Sequence, residues 1–255
     1  MVSGIEGRHA VVTGGGRGIG AAIARALTGA GARVTVTGRS EQPLAELVAG
    51  GGAAGYVLAD VTDADAIRSA IESAAAERGP VDILVANAGA AESVPFAKTG
   101  PAVFQRMLDV NVMGVVHSIQ AVLGPMTEAR SGRIVTIAST AGLKGYRYTS
   151  AYCAAKHAVI GLTRSLALET AAKGVTVNAV CPGFTDTDMV SESVTRIVAK
   201  TGMTAEQAEA ELVRDNPQGR LVAPEEVADA VLWLCGRGAA AITGQAIAVA
   251  GGEIM

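Results

Sequence analysis

The chain has 255 residues, of which 49% are hydrophobic and 18% charged, and its formal net charge is −3. This composition excludes an intrinsically disordered chain, and the slight acidity argues against a nucleic-acid partner, because proteins that follow phosphates present a basic face. We expect a cytoplasmic protein without a membrane span, since there is no run of about 18 uninterrupted apolar residues and residues 1–8 lack the apolar segment of a secretory signal.

Short apolar runs and helical patterns alternate along the chain. In chain order they predict a strand at 9–13, a helix at 18–29, a strand at 33–37, a helix at 43–48, a strand at 56–59, a helix at 63–78, a strand at 81–86, a helix at 102–127, a strand at 133–138, a helix at 151–172, a strand at 175–180, a loosely helical region at 186–215, a helix at 224–234 and a strand at 246–249. Asp63 is placed to cap its helix.

This alternation is typical of a parallel sheet with helices on both faces. We therefore predict the α/β class: one Rossmann-type, doubly wound domain spanning residues 1–255, with its ligands at the carboxyl ends of the strands. In this interpretation residues 184–215 form a lid over the substrate.

The segment between the first strand and the first helix is rich in glycine and reads Thr13-Gly14-Gly15-Gly16-Arg17-Gly18-Ile19-Gly20. Gly14 permits a tight turn, Gly18 lets the backbone approach a pyrophosphate, and Gly20 allows close packing of helix on strand. The N–H groups at the helix start are then available to phosphates. A glycine loop alone also fits an ordinary turn, but its position between strand and helix favours a dinucleotide site.

Three residues near the end of the fifth strand indicate acid–base chemistry. Tyr152 and Lys156 are four residues apart and share one helix face, and Ser139 follows the strand. Free tyrosine has a pKa near about 10, and an adjacent ammonium together with an oxidised nicotinamide would favour tyrosinate. Ser139 can hydrogen-bond a carbonyl oxygen that becomes an alkoxide. An isolated pair of this spacing is usually an ordinary helix face, but this one accompanies the glycine loop.

With these motifs in order, the sequence resembles the short-chain dehydrogenases/reductases over essentially its whole length. The resemblance is carried by the glycine loop, Asp60-Val61, Asn87-Ala88-Gly89, Asn111, Ser139, Tyr152 with Lys156, and Pro182-Gly183. It implies an enzyme that interconverts a ketone and a secondary alcohol by hydride transfer with a nicotinamide cofactor.

The resemblance also implies roles for single residues. Tyr152 would be the acid/base, and Lys156 would tune the pKa of Tyr152 and bind the ribose. Ser139 would orient the carbonyl, and Asn111 would anchor a proton-relay water. Asp60 would bond the adenine amino group. The predicted cofactor set is Gly14, Arg17, Gly18, Ile19, Gly20, Arg39, Asp60, Val61, Asn87, Ala88, Gly89, Tyr152, Lys156, Pro182, Gly183, Thr185 and Thr187. Two positions depart from the family pattern: Thr185 replaces an aliphatic residue and Ala250 an aspartate.

The choice between the two nicotinamide cofactors depends on the end of the second strand. NAD binders of this kind place a carboxylate there for the ribose 2′-hydroxyl, whereas this chain has Gly38 followed by Arg39. With Arg17 in the glycine loop, two guanidinium groups suit the 2′-phosphate of NADP. NADP(H) is therefore favoured, and NAD(H) stays open because both arginines could instead be solvated.

The sequence indicates the identity of the substrate only weakly. The sequence is most similar to β-ketoacyl reductases and polyketide ketoreductases, which implies a small-molecule, CoA-linked or carrier-linked carbonyl. Arg130 and Lys173 match basic positions that meet an acidic acyl carrier protein, although cations near helix ends are favourable anyway. The segments 143–149 and 184–201 are expected to form the pocket walls. Their candidate contacts are Tyr146, Tyr148, Phe184 and Met189 as apolar groups, and Lys144 or Arg147 as cations for an anionic tail.

The predicted helix 151–172 is apolar on nearly all sides, so it needs a second burial partner besides the sheet. A homo-oligomer is expected, and the resemblance favours a tetramer. The three cysteines, Cys153, Cys181 and Cys235, form no C-x-x-C pair, so we predict buried thiols in a reducing compartment and no metal site.

Two other interpretations remain open at this stage. The chain could be an NAD(H)-dependent alcohol or hydroxyacyl dehydrogenase that works in the oxidative direction. It could also be a nucleotide-sensing relative without turnover, which the intact Ser139, Tyr152 and Lys156 disfavour. An epimerase or dehydratase of the extended branch is disfavoured because those chains carry a larger substrate domain.

Overall fold

The computed structural model describes residues 4–254. Its centre is a seven-stranded sheet in the order β3-β2-β1-β4-β5-β6-β7, with every neighbouring pair parallel. The strands are β1 (His9–Thr13), β2 (Arg33–Gly38), β3 (Gly55–Leu58), β4 (Ile83–Ala86), β5 (Gly132–Ile137), β6 (Val175–Pro182) and β7 (Ala246–Val249). The chain reverses its winding between β1 and β4, and in such sheets ligands bind at that crevice.

The helices lie between the strands, as the alternating pattern predicted. They are α1 (Gly18–Gly29), α2 (Glu41–Ala49), α3 (Ala64–Arg78), α4 (Pro101–Leu108), α5 (Gly114–Glu128), α6 (Ser150–Thr170), α7 (Asp188–Thr201), α8 (Ala205–Val213) and α9 (Pro224–Cys235). The Asp63 carboxylate accepts hydrogen bonds from the backbone N–H groups of Asp65 and Ala66, so the predicted cap of α3 is confirmed.

Two apolar cores lie on opposite faces of the sheet. Helices α1, α2 and α9 cover one face, and α3, α5 and α6 cover the other. The central strand β1 shows the reason, because successive side chains of a strand point to opposite faces. Ala10 and Val12 join the first core, whereas Val11 joins the second. The predicted α/β fold with both faces covered is confirmed.

The predicted single helix at 102–127 is wrong in one respect. Residues Asp109–Met113 form a π-helical turn that separates α4 from α5. Such turns insert an extra residue and frequently occur at functional sites. Here the turn carries Asn111, whose side chain is completely buried.

One segment, Pro101–Glu128, is long and apolar enough to cross a membrane by length and composition alone. The segment contains no run of about 18 uninterrupted apolar residues, because polar side chains interrupt it. Its inward face packs on the sheet through Val115, Ile119, Val122 and Met126, as in a core helix of an α/β protein. The expected absence of a membrane span remains a prediction.

Candidate active site

The glycine loop lies between β1 and α1 and has the backbone geometry that its composition predicts. Gly14 and Gly18 adopt positive φ angles of +63° and +51°, which favour glycine. Arg17 precedes α1 in an extended conformation and makes no side-chain capping hydrogen bond within residues 4–254. The N–H groups of the first helical turn are therefore left available to an anion.

The loop is held against the end of β4. The Asn87 amide donates to the carbonyls of Thr13 and Gly14, at 2.9 and 3.1 Å. A Cβ atom at Gly20 would lie only 2.3 Å from the Gly14 carbonyl oxygen, so no other residue fits there without a shift. The predicted residue Asn87 thus supports the glycine loop through its amide.

The first residues after β6 cover the other side of the loop. Thr187 lies at the start of α7, and a Cβ atom at Gly18 would lie 3.1 Å from its methyl group. The Thr187 hydroxyl donates to the Thr185 carbonyl, and the Thr185 hydroxyl donates to the Gly183 carbonyl. These two hydrogen bonds therefore help to fix the conformation of the segment after Pro182. The approach of Thr187 to Gly18 brings the segment after β6 directly against the glycine loop.

Both arginines of the predicted cofactor set have carboxylate neighbours. Arg39 Nη1 lies 3.9 Å from an Asp60 oxygen, and Arg17 Nη1 lies 3.8 Å from Asp188 on α7. The other Asp60 oxygen accepts from the Thr62 backbone N–H, and this bond is the main reason that the pKa of Asp60 lies below its usual value. Asp60 is thus partly engaged by its own loop and by Arg39.

Ser139, Tyr152 and Lys156 meet beyond the carboxyl end of β5. The Lys156 ammonium donates to the Ile137 carbonyl at 2.9 Å and lies 5.7 Å from the centroid of the Tyr152 ring. The Ser139 hydroxyl oxygen accepts from the Ala141 N–H at 3.1 Å, which fixes the start of a short 3₁₀ turn at residues 140–142. The structure therefore brings the predicted trio together.

Burial controls the protonation of Tyr152 and Lys156. Burial raises the pKa of Tyr152 to about 12, and interaction with the Ser139 hydroxyl opposes that shift without cancelling it. Burial lowers the pKa of Lys156 to about 8. The predicted shift toward tyrosinate involved an oxidised nicotinamide as well as the ammonium, and in the protein by itself desolvation is the largest effect on the pKa of Tyr152. The tyrosine is a neutral O–H donor at pH 7.

Asn111 borders the same place from the π-helical turn. Its amide donates to the carbonyls of Ala90 and Met107, at 2.9 and 3.0 Å, and its oxygen accepts from the Ala90 N–H at 3.3 Å. A Cβ atom at Gly89 would lie 2.9 Å from the Asn111 oxygen and 3.6 Å from the Lys156 ammonium. Gly89 thus keeps the two side chains accessible to each other.

The segment 143–149 follows the catalytic strand and differs from its sequence-based interpretation. Lys144, predicted to attract an anionic tail, instead contacts Glu253 at 2.9 Å and Asp215 at 3.5 Å. Tyr146 is more than an apolar contact, because its hydroxyl donates to the Glu253 carboxylate and lies 2.6 Å from the Thr140 hydroxyl. Sequence reasoning missed Glu253 because no local pattern marks a carboxylate near the end of the chain.

The remaining members of the predicted set line the same edge of the sheet. Ile19 and Gly20 lie in the first turn of α1, while Val61 and Ala88 lie just beyond β3 and β4. Among residues 4–254 no group of three or more His, Cys, Asp and Glu side chains is arranged to hold a metal ion. The site is therefore a cleft of backbone amides, one serine, one tyrosine and one lysine.

A sequence profile described as "short chain dehydrogenase" matches residues 8–197, which include the glycine loop and the catalytic trio. The chain belongs to this family. The predicted family and its enzyme class, a short-chain dehydrogenase/reductase, are confirmed.

Individual relatives cover nearly the whole chain. A protein of Streptomyces coelicolor assigned as a ketoacyl reductase is 40% identical over 249 residues, which are 95% of each chain. The 3-oxoacyl-[acyl-carrier-protein] reductase of Escherichia coli is 38% identical over 253 residues, 98% of each chain. A crystal structure of an actinorhodin polyketide ketoreductase variant with NADPH has a TM-score of 0.92 and 38% identity, covering 96% of this chain and 97% of that one. This short-chain dehydrogenase/reductase thus resembles ketoreductases throughout.

Proposed function

We propose that this enzyme is an NADP(H)-dependent ketoreductase that reduces a 3-oxoacyl thioester or a polyketide ketone to a secondary alcohol. The observation that carries the proposal is the meeting of Ser139, Tyr152 and Lys156 beside the glycine loop at the carboxyl edge of the sheet. The similarity to ketoacyl reductases and to an NADPH-bound polyketide ketoreductase supports the same chemistry.

The cleft fits a nicotinamide dinucleotide. The first turn of α1 would hold the pyrophosphate, Lys156 the nicotinamide ribose, and Arg39 with Arg17 the 2′-phosphate, as their places in the cleft suggest. Bound there, the reduced cofactor supplies hydride to the carbonyl carbon. Gly38 itself contributes no carboxylate, and the nearest neighbours of a Cβ atom there would be Leu44 atoms at 3.6 Å.

The protein's own groups then supply the proton and the electrostatic stabilisation. In this proposal the Ser139 and Tyr152 hydroxyls donate to the carbonyl oxygen, and Tyr152 gives its proton to the developing alkoxide. A tyrosine with a pKa of about 12 is protonated at pH 7, as a proton donor in the reductive direction must be. The Lys156 ammonium stabilises the tyrosinate left behind, and Asn111 anchors the path that returns the proton.

Carrier-linked substrates would meet the patch formed by Arg130 and Lys173. The Arg130 guanidinium donates to the Ala172 carbonyl at 3.0 Å, so the two cations lie on neighbouring turns. They lie at the amino ends of β5 and β6, and the 21-residue helix α6 separates Lys173 from Tyr152. At 1.5 Å per residue this is roughly 30 Å. A carrier docked there would therefore stand about one helix length from Tyr152 of the same chain.

A homo-oligomer, with a tetramer favoured, is part of the proposal. On α6, Leu168 is 86% exposed, and Met113 in the preceding π-helical turn is also exposed. On the opposite flank, β7 forms the open edge of the sheet, and Trp233 of α9 is exposed. In this proposal, second copies of the chain cover these exposed apolar side chains and the open edge of the sheet. The free, buried thiols of Cys153, Cys181 and Cys235 are consistent with the cytoplasmic location that we infer.

Replacing Tyr152 with phenylalanine tests the proposed function directly. Wild-type protein should oxidise NADPH in the presence of a 3-oxoacyl thioester, and Tyr152→Phe should lower kcat by at least about 100-fold, since it removes the proton donor. NADPH should still bind the variant, which fluorescence titration measures. Near-normal turnover by the phenylalanine variant would contradict the proposal, as would a wild-type protein that binds NADPH but reduces no ketone or thioester.

A further inference from the structure

Glu253 is a carboxylate buried in the wall of the proposed substrate site. Its side chain is only 3% exposed, although it lies close to the end of the chain. One carboxylate oxygen lies 2.9 Å from the Lys144 ammonium and accepts from the Tyr146 hydroxyl. The other lies 3.1 Å from where a Cβ atom of Gly183 would stand. Glu253 therefore joins the C-terminal segment to both pocket-forming segments.

This cluster borders the carbonyl site. The Tyr146 hydroxyl also lies 2.6 Å from the hydroxyl of Thr140, the residue after Ser139. The Tyr146 ring meets the Phe184 ring edge to face, with 6.0 Å between centroids. Burial, followed by the bond to Glu253, raises the pKa of Tyr146, so the phenol stays neutral. The charged groups of the cluster around Tyr146 are therefore Lys144 and its carboxylate partners, while Arg147 of the same segment is exposed.

The ion-paired cluster around Lys144 carries a net negative charge. The Lys144 ammonium faces two carboxylates, Glu253 at 2.9 Å and Asp215 at 3.5 Å. Asp215 also lies 3.7 Å from the exposed Arg214, which is itself 3.1 Å from Glu211. Counted with or without that outer pair, the group carries one net negative charge. The lysine is already neutralised within the protein and is not free to receive a substrate anion.

We propose that Glu253 is a specificity-determining residue that directs the site to carbonyl substrates with an uncharged acyl portion, namely thioesters, esters and uncharged ketones, and against free oxo acids. It does so by pairing with Lys144, so that the cluster of Lys144, Glu253 and Asp215 presents a net negative charge to a substrate anion instead of a free ammonium. A substrate carboxylate brought to this wall would meet repulsion where a free lysine would attract it. The inference rests on the proposed ketoreductase function and names its substrate class.

A matched pair of substrates tests this inference. Ethyl acetoacetate and acetoacetate share the same ketone and differ in one negative charge. With full-length protein and NADPH, wild type should show a kcat/KM for the ester well above that for the acid. Glu253→Gln frees Lys144 and should reduce the ester-to-acid ratio by about 10-fold, the scale of one partly screened charge interaction. Lys144→Met leaves the carboxylates unopposed and should increase the ratio.

A charge effect should change the ester-to-acid ratio in opposite directions in the two variants. General damage to the wall would change the ratio in the same direction in both. Glu72→Gln is the matched control, because Glu72 is also an ion-paired glutamate, with Arg68 at 4.0 Å, but lies on α3 away from the site. Acetoacetate reduced as well as its ester by wild type, or ratios that do not change in either variant, would overturn the inference alone. If wild-type protein reduces neither of these two compounds nor any thioester, the proposed function is overturned and this inference with it.

Discussion

The guanidinium group of Arg39 lies 3.9 Å from the carboxylate of Asp60 at the adenosine end of the cleft. Both side chains are exposed, with 77% of Arg39 and 40% of Asp60 accessible to solvent. Exposed ion pairs of this kind contribute little free energy, typically about 0–1 kcal/mol. The pair can therefore open, and a phosphate that carries close to two negative charges can compete for Arg39.

Cofactor preference should follow from this arginine. We expect wild-type enzyme to show a higher kcat/KM with NADPH than with NADH, by about 10–100-fold, because one charge-assisted hydrogen bond contributes roughly 1.5–3 kcal/mol. Gly38→Asp combined with Arg39→Leu should reverse the order, since it adds a repulsive carboxylate and removes the cation. Steady-state kinetics with both cofactors measure the effect.

Added salt provides the control for that prediction. Screening should reduce the NADPH preference of the wild type and leave its kinetics with NADH nearly unchanged. The open space beside Gly38 indicates that the aspartate can be accommodated without strain. A wild-type preference for NADH would show that Arg39 stays with Asp60 or solvent and that the cofactor prediction is wrong.

Lys156→Met should stabilise the protein at pH 7 while abolishing turnover. Lys156 is 4% exposed, and burial lowers its pKa from 10.5 to about 8. Between these values the unfolded chain binds more protons than the folded one, so the free energy of unfolding of the wild type rises with pH from about 8 to 10.5. Below pH 8 the full cost of burying the charge remains, on the order of 1–3 kcal/mol.

Urea unfolding of both proteins at several pH values between 7 and 10 checks this prediction. The advantage of the methionine variant should be largest at pH 7 and should shrink as the pH approaches 10. Tyr152 is present in both proteins, so its own titration largely cancels in the comparison. A difference that stays constant over this range would mean that the Lys156 ammonium is not destabilised by burial.

The carrier-docking patch makes a separate prediction. Arg130→Glu with Lys173→Glu should raise KM for a 3-oxoacyl carrier protein by about 10-fold or more, because surface charges steer encounter with an acidic partner. The same variant should reduce a small free ketone normally. Arg25→Glu with Arg68→Glu, which changes the charge equally on α1 and α3, is the control. Equal kinetics of patch and control variants with the carrier substrate would favour a free or CoA-linked substrate.

The cap of α3 predicts a purely structural effect. Asp63→Ala removes the two hydrogen bonds to the N–H groups of Asp65 and Ala66 and should lower the free energy of unfolding by about 1 kcal/mol. Asp63→Asn should keep most of this stability, since an asparagine oxygen can accept the same bonds. Thermal melts decide between these outcomes: an alanine variant as stable as wild type would show that solvent replaces the cap at no cost.

The sequence by itself determined those features of this protein that depend on local patterns of residues. Strand β7 spans 246–249 and α1 spans 18–29, as predicted, because hydrophobic periodicity and flanking glycines are properties of short stretches of chain. The glycine loop and the pairing of Tyr152 with Lys156 could be predicted for the same reason. Their relation to Ser139 followed from the rule that parallel strands place their carboxyl ends at one edge.

Only the tertiary structure decided which side chains meet across large separations in the chain. The Tyr146 hydroxyl contacts Glu253, which lies 107 positions away in the chain. Glu253 also forms an ion pair with Lys144, so that this lysine is neutralised and is not the free cation that the sequence suggested. The π-helical turn at Asn111 depends on packing between α4, α5 and α6. Burial likewise set the pKa of Tyr152 and Lys156, because desolvation depends on every surrounding atom and not on the neighbours in sequence.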